Sequence, residues 1–503
     1  MQRLKKPGTK PVRESYVRNN INHIIFLLLE NQSFDRLLGC LRELYPDMEG
    51  LNRPGTPPYA NSDDQRVYYN QKPTATKQVK KDPKHEARYV LKQLEGNNGG
   101  FVLDFVANYP DSSLEERQEI MGYYPLYFLP ALHTLAREFT VCDHWFSSLP
   151  GPTWPNRFFA LTGTCNGQAL MPEGWRHPQL ATFFNQTQDT IFDRLNEAGR
   201  SWKIYYYDFP SSILLAHQRR PENLLRYHHI ETFFQDCANE PSFPQFAFIE
   251  PKYFGADQND DHPPHNIVKG EKLIADVYNA IRSSPQLWAS SLLVITFDEH
   301  GGFYDHVSPP PAVPPDDLPA KVDPEDPSAI FRFDRLGVRV PAVLVSPWVA
   351  KRVENTPFDH TSLLKYLTDK WGLGPLGRRT AAATPISVAI RDQLREDTPA
   401  FVRVPYTDLI PPDPVLEKDD SSLHHRALHA FAYYLAREAG DLSTADKATR
   451  EPNAWMRTKA GIGSVLMSAG ALLAADFRSL QQEKANETIK IAESLIGGAA
   501  RTR

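Results

Sequence analysis

Short apolar runs alternate along this chain with longer segments whose apolar residues recur every three and four positions. Ile24 to Leu29 stops at Glu30-Asn31, Trp202 to Tyr207 and Phe246 to Glu250 follow, and Ser291-Leu292-Leu293-Val294-Ile295-Thr296-Phe297 runs straight into Asp298-Glu299-His300-Gly301-Gly302. Val338 to Val345 supplies a fifth run. Runs this short and this rich in β-branched residues read as strands buried on both faces. Leu126 to Phe139, Ile191 to Ala198, Ile267 to Ser283 and Ser362 to Trp371 carry the spacing of amphipathic helices. The alternation predicts an α/β domain with a mostly parallel central sheet flanked by helices. Sheets of that kind hold ligands beyond the C-terminal ends of their strands, which is where the acids fall.

Two regions depart from the alternation. Pro309 to Pro327 is rich in proline and aspartate and has little periodicity, so it reads as an excursion, ordered or mobile, between two strands. After Pro411-Pro412 the chain turns helical, with Leu423 to Ala439 and Ala474 to Ile496 at helix-compatible spacing. The expected division is therefore residues 1–410 as the α/β domain and 411–503 as a mainly helical C-terminal appendage. The weakly apolar stretch Gly461 to Ala475 is shorter than the ~20 residues a membrane-spanning helix needs and reads as a packed helix. Residues before Asn20 are polar and lack the apolar core of a signal peptide, so the chain as written reads as cytoplasmic; a processed secreted form would look the same.

Charge and cysteine usage narrow the classes. Lys and Arg total 56 against 61 Asp and Glu, a net charge of -5, so no basic excess drives binding to a nucleic-acid backbone. Cys40, Cys142, Cys165 and Cys237 are widely spaced with no C-x-x-C pair, which argues for buried free thiols rather than a thiolate zinc site or a disulfide framework.

The chemistry gathers in three constellations. Glu30-Asn31 and Asp298-Glu299 each close a strand, and on neighbouring parallel strands their oxygens converge. Carboxylate and amide oxygens select a hard cation, or zinc in an oxygen-rich site. Pro150-Gly151-Pro152-Thr153-Trp154-Pro155-Asn156-Arg157 sets Thr153 between prolines, in what reads as a rigid loop. A threonine hydroxyl becomes a nucleophile only when a base or a metal takes its proton, and the same residue is also a common turn former. The third group is His85 after Asp82-Pro83-Lys84, His262 in Asp260-Asp261-His262-Pro263, and His360 at the start of a helix. Such histidines cap helices, or together neutralise phosphate oxygens and protonate a leaving group.

These pieces together resemble the phosphoesterase family that contains the non-specific phospholipases C and some acid phosphatases. The resemblance rests on Glu30-Asn31-Gln32-Ser33-Phe34-Asp35, Pro152-Thr153-Trp154-Pro155-Asn156-Arg157, Asp261-His262-Pro263, Asp298 through His306, and His360-Thr361-Ser362, in the family's order. It implies an alkaline-phosphatase-like fold and one divalent metal (Ca, Mg, Mn or Zn) held by Glu30, Asn31, Asp298 and Glu299, with Thr153 as both ligand and nucleophile. His85, His262 and His360 take the family's catalytic histidine positions; His300 and His306 are expected to support the site from behind.

The resemblance implies hydrolysis of a phospholipid phosphodiester to diacylglycerol and a phosphorylated head group, through a phosphothreonine. An acid phosphatase acting on phosphomonoesters is the first rival, and a non-catalytic protein that captures phosphate esters is the second. A sulfatase is disfavoured because the chain has no Cys-x-Pro-x-Arg motif. Expected partners are a phospholipid or small phosphate ester, with transient contact at a membrane surface, although no basic amphipathic helix marks that contact. Trp145, Phe146 and Trp154 read either as core or as a cage for a choline ammonium.

Overall fold

Eight strands build the central sheet: β1 (His23–Leu29), β2 (Thr140–Cys142), β3 (Trp202–Tyr206), β4 (Tyr227–His229), β5 (Phe246–Glu250), β6 (Ser291–Phe297), β7 (Ala342–Val345) and β8 (Arg352–Glu354). The computed structural model describes residues 20–172, 180–253 and 257–405, with a few positions between 426 and 437. Across the sheet the order is β8-β2-β7-β6-β1-β5-β3-β4. The four middle strands β6, β1, β5 and β3 run parallel, whereas β7 is antiparallel to both its neighbours. Every residue of β1, β5 and β6 is buried, as unbroken apolar runs in a covered parallel sheet should be.

The α/β class and the mostly parallel sheet are those the sequence predicts. Of the run from Val338 to Val345 only Ala342–Val345 joins the ladder. Pro341 has no N–H to give, and Val340 N bonds Trp145 O at 2.8 Å instead. The three-residue strands β2 and β8 are too short to show a period and were not legible in the chain.

Five helices matter for the site: α1 (Pro130–Glu138), α2 (Thr153–Thr162), α3 (Ile191–Glu197), α4 (Ile267–Ser283) and α5 (His360–Trp371). α4 has the predicted bounds. α1 starts at Pro130 rather than at Leu126, because the residue before a proline is held out of the helical region; Leu129 sits at φ -103°, ψ 84°. α5 starts two residues before the predicted Ser362, since Asp359 and Ser362 form a capping box around it. The largest correction concerns Thr153. It lies not in a loop but at the first position of α2, with Pro152 as N-cap and Pro155 still inside the first turn, where a missing N–H costs no helical bond.

The proline-rich excursion is ordered, and Ala320–Lys321 pairs with Ile330–Phe331 in a small antiparallel ribbon. All four cysteines are buried free thiols. No described helix is long and apolar enough to cross a membrane.

The chain divides into two compact units. The described part of the first comprises 20–170, 188–211, 228–253 and 257–405, and it holds the strands and helices of the site. In the second unit Phe184 packs on Phe431 and Tyr434, with ring centroids 4.8 and 5.4 Å away, and the described positions between 426 and 437 are helical. Gly461 to Ala475 and Ala474 to Ile496 lie outside the described residues.

Candidate active site

Leu29 of β1 pairs with Phe297 of β6, so the residues that follow each strand, Glu30-Asn31 and Asp298-Glu299, leave the sheet side by side. All four are fully buried. Asn31 takes the left-handed conformation, φ 60°, which asparagine tolerates better than most residues. Its N–H donates to Asp298 Oδ1 at 3.1 Å, and Gln32 N donates to the Glu299 carbonyl at 2.9 Å. The two loops touch so closely that a Cβ on Gly301, itself at φ +64°, would lie 2.2 Å from the Asn31 carbonyl oxygen. Glycine is required there.

α2 brings the hydroxyl. Thr153 Oγ1 donates to Asn31 Oδ1 at 3.3 Å, and the side chain is wholly buried. Asn156 staples the preceding turn, its amide donating to the carbonyls of Leu149, Gly151 and Pro152 at 3.0 to 3.3 Å while Oδ1 accepts from Leu149 N. Arg157, four residues after Thr153 and so on the same helical face, reaches under the acids. Its Nε lies 2.9 Å from Asp298 Oδ2, and its terminal nitrogens lie 3.1 Å from Glu30 and 3.7 Å from Glu250.

The three histidines divide. His85 Nδ1 donates to the Pro83 carbonyl at 2.8 Å, and Nε2 lies 3.3 Å from the Asn31 amide nitrogen. His262 donates from Nδ1 to the Pro263 carbonyl, and its ring centroid is 5.7 Å from that of His85. His360 stands beside the acids but is engaged at both nitrogens: Nε2 donates to the Asp298 carbonyl at 2.7 Å, and Nδ1 accepts from the Trp145 indole at 3.4 Å. Both of its ring nitrogens are engaged in this arrangement. Trp145, Phe146 and Trp154 are all buried, which favours core over a choline cage.

The supporting histidines also divide. His300 bonds Gln93 Oε1 at 2.8 Å and faces Glu299 at 3.2 Å, holding that carboxylate. His306 does not support the acids. It bonds Asp35 and Glu49, stacks on Tyr59 at 4.3 Å, and belongs to a separate buried network whose centre is filled by Arg339, bonded to Asp35 and Asp305.

Electrostatics favour a cation among the acids. Burial raises Glu30 well above the usual carboxylate range, with Asp298, Asp260 and Glu299 adding repulsion that Arg157 only partly offsets. Asp298 and Asp260 are pushed up by burial to about 7. Glu299 stays below its ordinary value, because His85 and His300 outweigh its burial. His85 is lifted to about 9, the carboxylates of Glu299, Asp82 and Glu86 outweighing the burial that would lower it. Glu299 Oε1 is buried without a hydrogen-bond partner, while Oε2 accepts from Gly301 N. An orphaned carboxylate oxygen among crowded acids, with an amide and a hydroxyl oxygen alongside, fits a hard divalent cation. Asp82, His85 and His262 also bring one potential ligand atom each within 4.8 Å of one another.

The profile of the phosphoesterase family matches residues 21–374, a span that holds every residue of this site. The chain belongs to the phosphoesterase family. Non-specific phospholipase C3 and non-specific phospholipase C6 of Arabidopsis thaliana are 34% identical over 356 residues and 35% identical over 360 residues. Those matches cover 65% and 68% of this chain, and at 64% and 66% they span just under two thirds of the plant relatives' length. Phospholipase C B of Mycobacterium tuberculosis is 28% identical over 412 residues, covering 72% of this chain and 75% of its own. Among solved structures, the phosphonate monoester hydrolase of Agrobacterium radiobacter overlaps 75% of this chain and 79% of its own at 9% identity, with a TM-score of 0.34. So distant an overlap adds nothing on function.

The sequence placed Glu30, Asn31, Asp298, Glu299, Thr153, His85, His262 and His360 in one neighbourhood, and the fold brings them together. Arg157 was seen but given no role. Its signal was the four-residue spacing from Thr153, readable only once that segment is recognised as helix. Asp260, whose carbonyl accepts from Glu30 N at 2.8 Å, carried no sequence signal of its own.

Proposed function

We propose that this chain is a metal-dependent phosphoric ester hydrolase of the phospholipase C type, cleaving a phospholipid phosphodiester to diacylglycerol and a phosphorylated head group. The observation that carries the proposal is Thr153 Oγ1, held 3.3 Å from Asn31 Oδ1 at the first position of a ten-residue helix and beside the buried acids. The names of the plant and mycobacterial relatives support the substrate class.

Glu30, Asn31, Asp298 and Glu299, with Thr153 Oγ1, would hold the divalent cation, which when bound lowers the hydroxyl pKa and neutralises phosphoryl oxygens. Thr153 Oγ1 attacks phosphorus in line with the glycerol oxygen, forming a phosphothreonine as the P–O bond to diacylglycerol breaks. The α2 N-terminus directs its first backbone N–H groups at the transferring group. The His85–His262 pair gives a proton to the leaving alkoxide, His85 being the member held protonated, since its neighbouring carboxylates lift it to about 9 while burial lowers His262. Water then attacks the phosphothreonine, returning a proton to that pair, releasing the phosphorylated head group and freeing Thr153.

The test offers the purified protein phosphatidylcholine and p-nitrophenyl phosphate side by side, before and after chelation. Diacylglycerol and phosphocholine should appear from the lipid and vanish with chelator until a divalent ion is restored. Turnover of the monoester alone assigns an acid phosphatase instead, and binding of both without turnover a non-catalytic binder.

A further inference from the structure

The segment from Lys72 to Lys84 carries five lysines, Lys72, Lys77, Lys80, Lys81 and Lys84, and one acid, Asp82, in a chain whose net charge is -5. Among the described residues none of the five forms an ion pair; Lys81 and Lys84 lie over the Tyr109 ring at 5.1 and 5.9 Å. This segment borders a groove of about 550 Å³, with Val79, Phe105, Ile120 and Phe303 along it and Lys72, Lys80 and Lys81 at its rim. Three acids share the rim: Glu119 pairs with Arg36 at 2.7 Å, whereas Glu116, which closes a capping box on Ser113, keeps its charge and feels Lys80 and Lys81. With Glu119 neutralised by Arg36, three lysines face two acids, Glu115 and Glu116, and the lining keeps a positive excess.

Two apolar tips stand out beside the groove. Tyr68 is 71% exposed and Leu114 65%, unusual values for such large apolar groups. Asp63 accepts from Val67 N at 2.9 Å and from Arg117 at 3.1 Å, locking the Tyr68–Asn70 strand to the Leu114–Glu119 helix. The lysine segment then runs directly into His85, which touches Asn31, and Gly302 packs on Pro83, where a Cβ would come within 2.7 Å.

We propose that this face docks on an anionic phospholipid surface, Tyr68 and Leu114 entering the interfacial layer while Lys72, Lys80 and Lys81 pair with lipid phosphates. The inference rests on the phospholipase reading and deepens it, since it names how the site meets an aggregated substrate. Unpaired lysines complement anionic head groups, and aromatic and aliphatic tips complement the boundary between head groups and acyl chains.

The test uses the full chain carrying Thr153→Ala, so that lipid is not consumed, in flotation with vesicles of phosphatidylcholine alone or mixed with phosphatidylglycerol. The protein should float with the mixed vesicles, less so as salt rises. The triple variant Lys72→Glu, Lys80→Glu, Lys81→Glu and the double variant Tyr68→Ser, Leu114→Ser should each weaken partitioning at least about tenfold. A milder Lys→Gln triple serves if charge reversal impairs folding. With Thr153 intact, the same variants should hydrolyse monomeric dibutyryl phosphatidylcholine at the parent rate. Vesicle binding unchanged in both surface variants, or absent in the parent, overturns the proposal. Loss of binding to another protein, with vesicle binding intact, reassigns the face to that partner. Failure of the parent on the monomeric substrate counts against the phospholipase reading instead and leaves the flotation result standing.

Discussion

Thr153 Oγ1 donates to Asn31 Oδ1 at 3.3 Å, joining the first residue of α2 to the loop that closes β1. The proposed nucleophile thus rests on an oxygen of the proposed metal site. Thr153→Ala removes the attacking atom and one neutral hydrogen bond, so turnover should fall at least ~10³-fold while stability changes by about 1 kcal/mol. Thr153→Ser should keep part of the activity. Steady-state rates with a thermal melt check both, and near-normal turnover in the alanine variant would rule out the mechanism.

Arg157 lies within 4 Å of Glu30, Glu250 and Asp298, all of them buried. Arg157→Met leaves those carboxylates without their shared cation, a loss of about 3–5 kcal/mol. Arg157→Lys should recover little, because one ammonium cannot reach three carboxylates at once. Urea unfolding of the three proteins measures the difference.

Gly301 and Gly199 both adopt positive φ, but only at Gly301 would a Cβ meet a backbone oxygen, at 2.2 Å; at Gly199 nothing lies within 4 Å. Gly199→Ala should therefore cost only the conformational strain of about 1–2 kcal/mol. Gly301→Ala adds a steric clash that must push Asn31 away, and activity should drop far more than in the Gly199 variant. Equal activity in the two would show that the contact between the strand-end loops is dispensable.

Glu271 of α4 accepts from Ala131 N and Leu132 N, supplying the cap that α1 lacks at Leu129. Burial raises its carboxyl to about 7 in spite of those two bonds. The folded state therefore holds the proton more tightly than the unfolded chain. Stability from this group is fully present below the ordinary value of 4.5 and is lost as pH rises to about 7, a decline of about 3 kcal/mol. Glu271→Gln, which does not titrate, should flatten that slope; an unchanged pH profile of the melting temperature would rule out the assignment.

Much of this architecture was legible before any coordinates. β1 and β6 announced themselves as unbroken apolar runs ending in acids, and α4 has the bounds its spacing gives. Thr153 was misplaced in a loop because prolines at both sides read as turn punctuation, although a first helical turn tolerates them equally. His306 was assigned to the wrong neighbourhood because it stands seven residues from Glu299 in the chain. Gly301 and Gly302, at φ +64° and +73°, turn that stretch away, toward Asp35 and Arg339.

By itself the sequence determined the α/β class, the strands whose ends carry acids, and the residue types that suit a hard cation and a phosphate ester. Those follow from local periodicity and from the donor chemistry of individual side chains. Tertiary structure alone decided that Glu30 and Asp298 emerge side by side, that one arginine from α2 lies beneath them, and that both nitrogens of His360 are engaged. Each depends on the register of parallel strands hundreds of residues apart and on where a helix docks, and the packing of the whole core sets those, not any local stretch of chain.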